Sequence, residues 1–439
     1  MKKALVLVAI ALAAAGALFL VFGEYSPRGD FPRAQRVWPE YDPQGIRSLA
    51  VRSSAGAYLL ERQGDGWVLR FGSSPVAPLA DPAKVGALLD FLVHNKPILR
   101  VVKGGGAAAG LGPNAAMLTV NGDDILEFGV EDEARMGVYA RRGGDGDVVL
   151  LAREYADILA RKAEFYLDLR LLDSKPENVE AVIVARQDES WEVDRNKQGL
   201  VFVRPEALIP MRVGAEAFEL WLHEVLLLRA SGLALEKPDP GRKPDVTASL
   251  RLKIPSGEHQ TLRLFAPGTE GEPWVALSSR QAVFFLLDPG QANKVDKKAF
   301  SLIDRRLAAL DPGAVDRLVL SASGRALRAK RDGTGWGNEL PSAQLTGIDM
   351  FLWRLTDLQY EYGPVGALPA TAEERMRLEL FSKNDDGLLD LVFYADTGLP
   401  SGQCWVARGM EQGFYPVADQ IYKDLQGLLP PVPEGGVIK

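Results

Sequence analysis

The chain has 439 residues, of which 47% are apolar and 25% charged, and its formal charge is -7. This is ordinary globular composition with room for several domains, and the acidic balance excludes a broad nucleic-acid-binding face. The single cysteine, Cys404, excludes an internal disulfide and leaves the redox compartment open.

After Met1, Lys2 and Lys3 comes an unbroken apolar run, Ala4 to Gly23. At 1.5 Å per residue such a helix spans roughly 30 Å, the thickness of a hydrocarbon core. More apolar residues, Leu18 to Phe22, follow the alanine-rich stretch near Ala13 to Ala17, so the run predicts an uncleaved signal anchor rather than a cleaved leader. No cysteine follows it to carry a lipid. Lys2 and Lys3 place the short tail in the cytoplasm and the bulk of the chain in the periplasm, single-pass in a bacterial inner membrane. Arg28, Arg33 and Arg36 oppose this orientation, but a long following domain crosses largely regardless of charge. Residues 24–43, with several prolines and charges, read as a tether.

The remainder repeats itself three times. Each copy opens with a hairpin: LAVRSSAGAYLLERQGDGWVL, AVIVARQDESWEVDRNKQGLVF and LVLSASGRALRAKRDGTGWGN. Tyr58 and Trp67 are nine apart, as are Trp191 and Leu200, and Leu327 and Trp336. A helical run follows in each: DPAKVGALLDFLVHN, AEAFELWLHEVLLL and SAQLTGIDMFLWRLTDL. Apolar residues recur there at three and four, the spacing of one helix face. The three runs align on FLVH at Phe91, LWLH at Leu220 and FLWR at Phe351. Two alternating strands joined by a polar turn come next, then the echoes Val138-Tyr139-Ala140-Arg141, Trp274-Val275-Ala276-Leu277 and Trp405-Val406-Ala407-Arg408, then one more strand.

Each copy therefore reads strand-strand-helix-strand-strand-strand-strand. The fold class is α+β, three tandem repeats of about 120 residues, each an antiparallel sheet with one packed helix. The expected boundaries are 1–23 anchor, 24–43 tether, 44–173, 174–311 and 312–430 repeats, and 431–439 tail. The connectors RKAEFYLDLRLLD and KKAFSLIDRRLAALD also resemble each other.

Chemistry-bearing residues read as structural. Cys404 precedes the echoed strand where the other copies hold Gly137 and Pro273, and is a buried structural thiol; Trp405 takes the inward position of Val138 and Trp274. His94 and His223 fall in one polar slot at a helix edge, matched by Arg354, and His259 sits in a hairpin turn. His223-Glu224 lacks the second histidine of a zincin helix. The glycine-rich Gly104 to Pro113 leads from a helix into a strand, opposite to a dinucleotide fingerprint, and lacks the Gly-Lys-Ser/Thr of a phosphate loop. Asp123-Asp124 and Asp385-Asp386 occupy solvated turns, where aspartate is favoured for backbone reasons. Lys297-Lys298, paired with Arg161-Lys162 in the first copy, reads as a solvated face rather than a lipid patch. No catalytic, cofactor-binding or metal-binding residue is assigned, and no cofactor is expected.

The anchor, the hairpin ending GDGWVL, the AGLGP connector, the VYAR strand and DLRLL closing the unit resemble a family of bacterial envelope proteins, domain of unknown function 4340. The likeness covers residues 44 to 173 best; the second copy departs from it, with Leu200 in place of the tryptophan. The resemblance implies accessory work beside an ABC-type transporter similar to the gliding-motility system, with no established catalytic residues to carry over. The expected function is thus a non-enzymatic, membrane-anchored periplasmic accessory or scaffold protein, with transporter subunits as partners and no nucleic acid. The alternative is a periplasmic binding module for an envelope lipid or glycan, with a pocket at a junction between repeats.

Overall fold

A computed structural model describes residues 40–430 apart from 73–75, 95–100, 103–107, 133–136, 145–146, 210, 254–258, 334, 339–343, 396–398 and 410–412. The expected anchor, most of the tether and the tail 431–439 lie outside the described residues. Among the described residues no helix is long and apolar enough to cross a membrane.

Eight strands form the first sheet: β1 (Ser48–Ser53), β2 (Gly56–Gln63), β3 (Gly66–Phe71), β4 (Val101–Val102), β5 (Ala116–Val120), β6 (Asp124–Glu131), β7 (Gly137–Arg142) and β8 (Val148–Ala152). Helix α1 (Pro82–His94) precedes β4 in sequence and a short α2 (Glu154–Leu159) follows β8. The strand order is β3-β2-β1-β5-β6-β7-β8-β4.

The second sheet repeats the plan with β9 (Val179–Arg186), β10 (Ser190–Asn196), β11 (Gly199–Arg204), α3 (Ala215–Leu226), β12 (Gly232–Leu233), β13 (Val246–Leu252), β14 (His259–Phe265), β15 (Trp274–Ser278), β16 (Phe284–Leu287) and α4 (Pro289–Val295). Its order, β11-β10-β9-β13-β14-β15-β16-β12, is that of the first.

The third has β17 (Arg317–Ala322), β18 (Arg325–Asp332), β19 (Gly335–Asn338), β20 (Gln344–Leu345), α5 (Ile348–Thr356), β21 (Glu373–Phe381), β22 (Gly387–Ala395), β23 (Gln403–Arg408), β24 (Phe414–Ala418) and α6 (Gln420–Leu428). Its order, β20-β19-β18-β17-β21-β22-β23-β24, differs only at the edges. Gly337 pairs with Gln344 at the place where the other copies have single bridges, Val68 to Leu79 and Val201 to Arg212.

The protein is therefore sheet-rich α+β, with three antiparallel sheets and few helices. It divides into two compact units. One comprises residues up to 179 with 185–187 and 223–296; the other comprises 180–184, 188–222 and 297 onward.

The alternation read in the strands is what builds the cores. Leu49 and Val51 of β1 face Val120 and Leu118 of β5 across a shared register, and all four are buried. Val85, Leu88, Leu89 and Leu92 of α1 belong to the same cluster. Each such side chain contributes about 1.5–3 kcal/mol by leaving water. The second member of each nine-residue pair takes the same cross-strand register, opposite an arginine five residues before it. Arg62 faces Trp67, Arg195 faces Leu200, and Arg331 faces Trp336. The two tryptophan pairs place a guanidinium over the ring, at 5.2 Å and 4.7 Å.

Four expectations need correction. The opening hairpins are three-stranded meanders, because Ser53 to Gly56 turns the chain where no Asn-Gly or Asp-Gly marks it; Gly56 takes φ 128. A second, short helix follows the last long strand of each copy, and six to nine residues are too few for periodicity to reveal it. The third main helix begins only at Ile348, after Gly347 in a left-handed conformation, and Gln344–Leu345 is strand.

The helix alignment is also slipped. Burial matches Val85, Leu88, Leu89 and Leu92 with Phe218, Trp221, Leu222 and Val225, and with Ile348, Phe351, Leu352 and Leu355. The expected alignment is four residues out between the first and second copies, a slip of one turn that leaves the apolar stripe intact because an α-helix returns to the same face after three or four residues, and one residue out between the second and third. His94 thus corresponds to Leu227 and Asp357, and His223 to Asp90 and Trp353. The single polar slot does not exist.

Candidate functional site

The connectors carry the strongest geometry. After a 3-10 turn (Ala163–Tyr166), Leu167 bridges Ala80 just before α1, and Arg170 bridges Arg229 just after α3. After the matching turn (Ala299–Leu302), Ile303 bridges Val213 before α3, and Arg306 bridges Gln359 after α5. Each connector is thus stitched to the repeat it leaves and the repeat it enters. The first junction lies within the first compact unit and the second within the other.

Both carry an Asp-x-Arg fork. Arg170 donates to Asp168 from Nε at 3.0 Å and Nη2 at 2.8 Å; Arg306 donates to Asp304 from both at 2.8 Å. The sequence signal, DLR at 168–170 against DRR at 304–306, was there to be read.

The first junction is sealed. Asp168 is 1% exposed and also accepts from Arg280 at 2.6 Å, while the Gln281 amide donates to Asp168 O at 3.1 Å and its carbonyl accepts from Leu79 N at 2.9 Å. Ser278 donates to Leu171 O, and Gln260 exchanges two hydrogen bonds with the Asp173 backbone. Burial alone raises the pKa of Asp168; the hydrogen bonds from Arg170 and Arg280 outweigh it and hold the carboxyl below its ordinary value.

The second junction opens into a cleft of about 800 Å³. Arg212, Asp304, Arg306, Asp390 and Arg408 line it, with Tyr360, Tyr415 and the Leu307 to Leu310 stretch. The Arg306 hydrogen bond holds the Asp304 carboxyl down, and Arg212 adds to the effect. Burial, with the neighbouring Tyr415, pushes the Tyr360 phenol up to about 12, so it is a neutral donor at physiological pH.

The residues singled out in sequence do not converge. His94, His223 and His259 are exposed at separate places. Asp124 accepts from Tyr41 at 3.0 Å and from Arg142 at 2.8 Å, whereas Asp385 accepts from Arg317 at 2.9 Å. Lys298 is exposed, and the Lys297 carbonyl accepts from the Trp191 indole. Gly104 to Gly106 and Ala107 lie outside the described residues. From Ala108 onward the connector is packed: Ala109 and Leu111 are buried, and a Cβ on Gly129 would stand 1.8 Å from Ala109 O. That contact is why β6 needs a glycine there.

Cys404 is 4% exposed, a buried thiol as its surroundings in sequence suggested. It lies inside β23 rather than before it, opposite Val417. Trp274 pairs with Leu287 as Cys404 does with Val417, so Cys404, not Trp405, matches Trp274. A one-residue slip reverses every side chain of a strand, and Trp405 faces the opposite side, against Tyr362. Burial, then the charge of Asp419, pushes the Cys404 thiol up to about 12. At pH 8 the native protein is expected to react with a chromogenic disulfide about 100-fold more slowly than the urea-unfolded chain, because the thiolate is scarce and shielded. Equal rates would show an accessible thiol.

Residues 73–255 match the family model described as Domain of unknown function (DUF4340), which supports the resemblance. The match begins just before α1 and ends beyond β13, so it crosses the sealed junction. No curated protein matches the chain. Among solved structures, a DNA polymerase sliding clamp from Pseudomonas aeruginosa with ligand is 9% identical, over 89% of this chain and 95% of that one, with a TM-score of 0.13. A DnaN sliding clamp from Bartonella birtlesii LL-WM9 is 10% identical over the same shares, with a TM-score of 0.14. Scores this low carry no argument about fold or function.

Proposed function

We propose that this chain is a non-enzymatic accessory protein, anchored by residues 4–23 in the bacterial inner membrane, with its repeats in the periplasm docking onto subunits of an ABC-type transporter of the gliding-motility kind. The observation that carries the docking role is apolar exposure at matching positions. Leu220 of α3 and Met350 of α5 correspond, at 65% and 62% exposed, and Trp353 lies one turn on at 65%. Large apolar side chains placed outward on two repeat helices suit a protein partner.

The test is affinity capture of the full chain from its native membrane in detergent, with mass spectrometry, beside a chain lacking residues 1–23 and a Leu220→Glu/Trp353→Glu variant. Transporter subunits are expected with the native chain and at least about 10-fold depleted with the double variant, since each hot-spot loss is worth about 1–2 kcal/mol. Equal recovery with the double variant refutes the docking face.

One observation favours the second reading, a periplasmic binding module for an envelope lipid or glycan: the open cleft at the second junction.

A further inference from the structure

The two junctions are an internal comparison within one chain. They share the Asp-x-Arg fork, the flanking bridges and the same backbone hydrogen bonds: Leu171 N to Leu228 O beside Leu307 N to Leu358 O, and Ser279 N to Thr261 O beside Gly409 N to Asp390 O. These bonds fix which residues correspond. Ser278, which closes on the first connector, is replaced by Arg408. Gln260, which clasps the first connector, is replaced by Leu389. Ala230 is replaced by Tyr360. The first junction is closed by side chains that hydrogen-bond the connector; at the second, Arg408 and Leu389 stand in place of two of them, Ser278 and Gln260, and Asp304 is 19% exposed at its side chain where Asp168 is 1%. Packing alone gives no reason to trade a sealed junction for a cleft of about 800 Å³, a volume in the range of small-ligand sites.

We infer that the cleft at the second junction binds an acidic oligosaccharide, a sugar chain bearing carboxylates. Three arginines, Arg212, Arg306 and Arg408, line it against two aspartates. Both aspartates are already forked by guanidinium groups, Asp304 by Arg306 and Asp390 by Arg377 at 3.0 Å and 2.6 Å. Among the lining side chains the balance of charge therefore favours an anion, with Glu216 and Asp357 acting on Arg306 from outside the lining, and guanidinium geometry suits a planar carboxylate. Tyr360 and Tyr415, with ring centroids 5.2 Å apart, add ring faces and hydroxyls of the kind that meet sugar rings. Five charged side chains and two tyrosines line the cleft, which suits a hydrated sugar better than an acyl chain.

This inference rests on the binding-module reading and is independent of the docking face. The experiment is calorimetric titration of the full chain in detergent with trigalacturonate, beside maltotriose, inorganic phosphate and short-chain dihexanoyl-phosphatidylglycerol. Trigalacturonate is expected to bind and to weaken as salt rises. Arg212→Gln, at an exposed side chain, should weaken it about 10-fold or more. Ala309→Trp, exposed on the cleft wall, should abolish it by filling the space, with an unchanged circular dichroism spectrum as the control for folding. No binding of trigalacturonate, equal binding of maltotriose, or binding indifferent to both substitutions overturns the inference. Should phosphate or the short-chain lipid bind in its place and be blocked by Ala309→Trp, the sugar assignment falls while the binding-module reading stands.

Discussion

Asp168→Ala is expected to destabilise the first junction by about 2–3 kcal/mol, because it removes the buried carboxylate that Arg170 and Arg280 both hydrogen-bond and leaves them only the more exposed Asp173, at 3.6 Å and 3.4 Å. The matching Asp304→Ala should cost about 1 kcal/mol or less, since Arg306 is 55% exposed and water replaces its partner. Hydrogen exchange reads both locally in the full chain, without assuming a single unfolding transition. The amides of Leu171 and Ala230, which donate to Leu228 O and Leu169 O, report the first junction; those of Leu307 and Tyr360 report the second. The native Asp168 carboxyl titrates below its ordinary value of 3.8. A depressed folded pKa contributes stability that is present above 3.8 and lost as pH falls through the folded value. The penalty of Asp168→Ala should therefore be full at neutral pH and shrink in acid below that point. Equal penalties at the two junctions would disprove the distinction between sealed and open.

Trp191→Ala should cost about 3–5 kcal/mol, with a further contribution of about 1 kcal/mol from the hydrogen bond. Trp191 is fully buried, packs edge-on against Trp221 with centroids 5.2 Å apart, and donates from its indole to Lys297 O at 2.9 Å. Trp191→Phe separates the two contributions: it keeps most of the apolar volume and leaves the carbonyl without that donor. Urea unfolding followed by circular dichroism should place the Phe variant between native and Ala. If the two variants unfold together, the hydrogen bond and not the packing dominates.

The repeat was legible because a half-buried strand and a one-faced helix write their burial into the spacing of apolar residues. LAVRS at β1 and the 85-88-89-92 stripe of α1 are examples. Alignment between copies was less secure for the same reason. The helices tolerate a slip of one turn, and the echo at Trp405 tolerated a slip of one residue because Cys404, Trp405, Val406 and Ala407 are all buried. Where both faces of a strand are covered, alternation no longer marks which side is inward.

The sequence by itself determined the fold class, the threefold repetition and the burial of Cys404, since each follows from local periodicity and residue type. Tertiary structure alone decided the strand order, the two-residue edge strands and the difference between the junctions. Leu79 meets Gln281, Asp168 meets Arg280, and Asp304 stands beside Tyr360 and Arg212 only once segments distant in sequence are folded together. Hydrogen bonds and charge pairs of that kind depend on distance in space, and nothing in the spacing of residues along a chain records it.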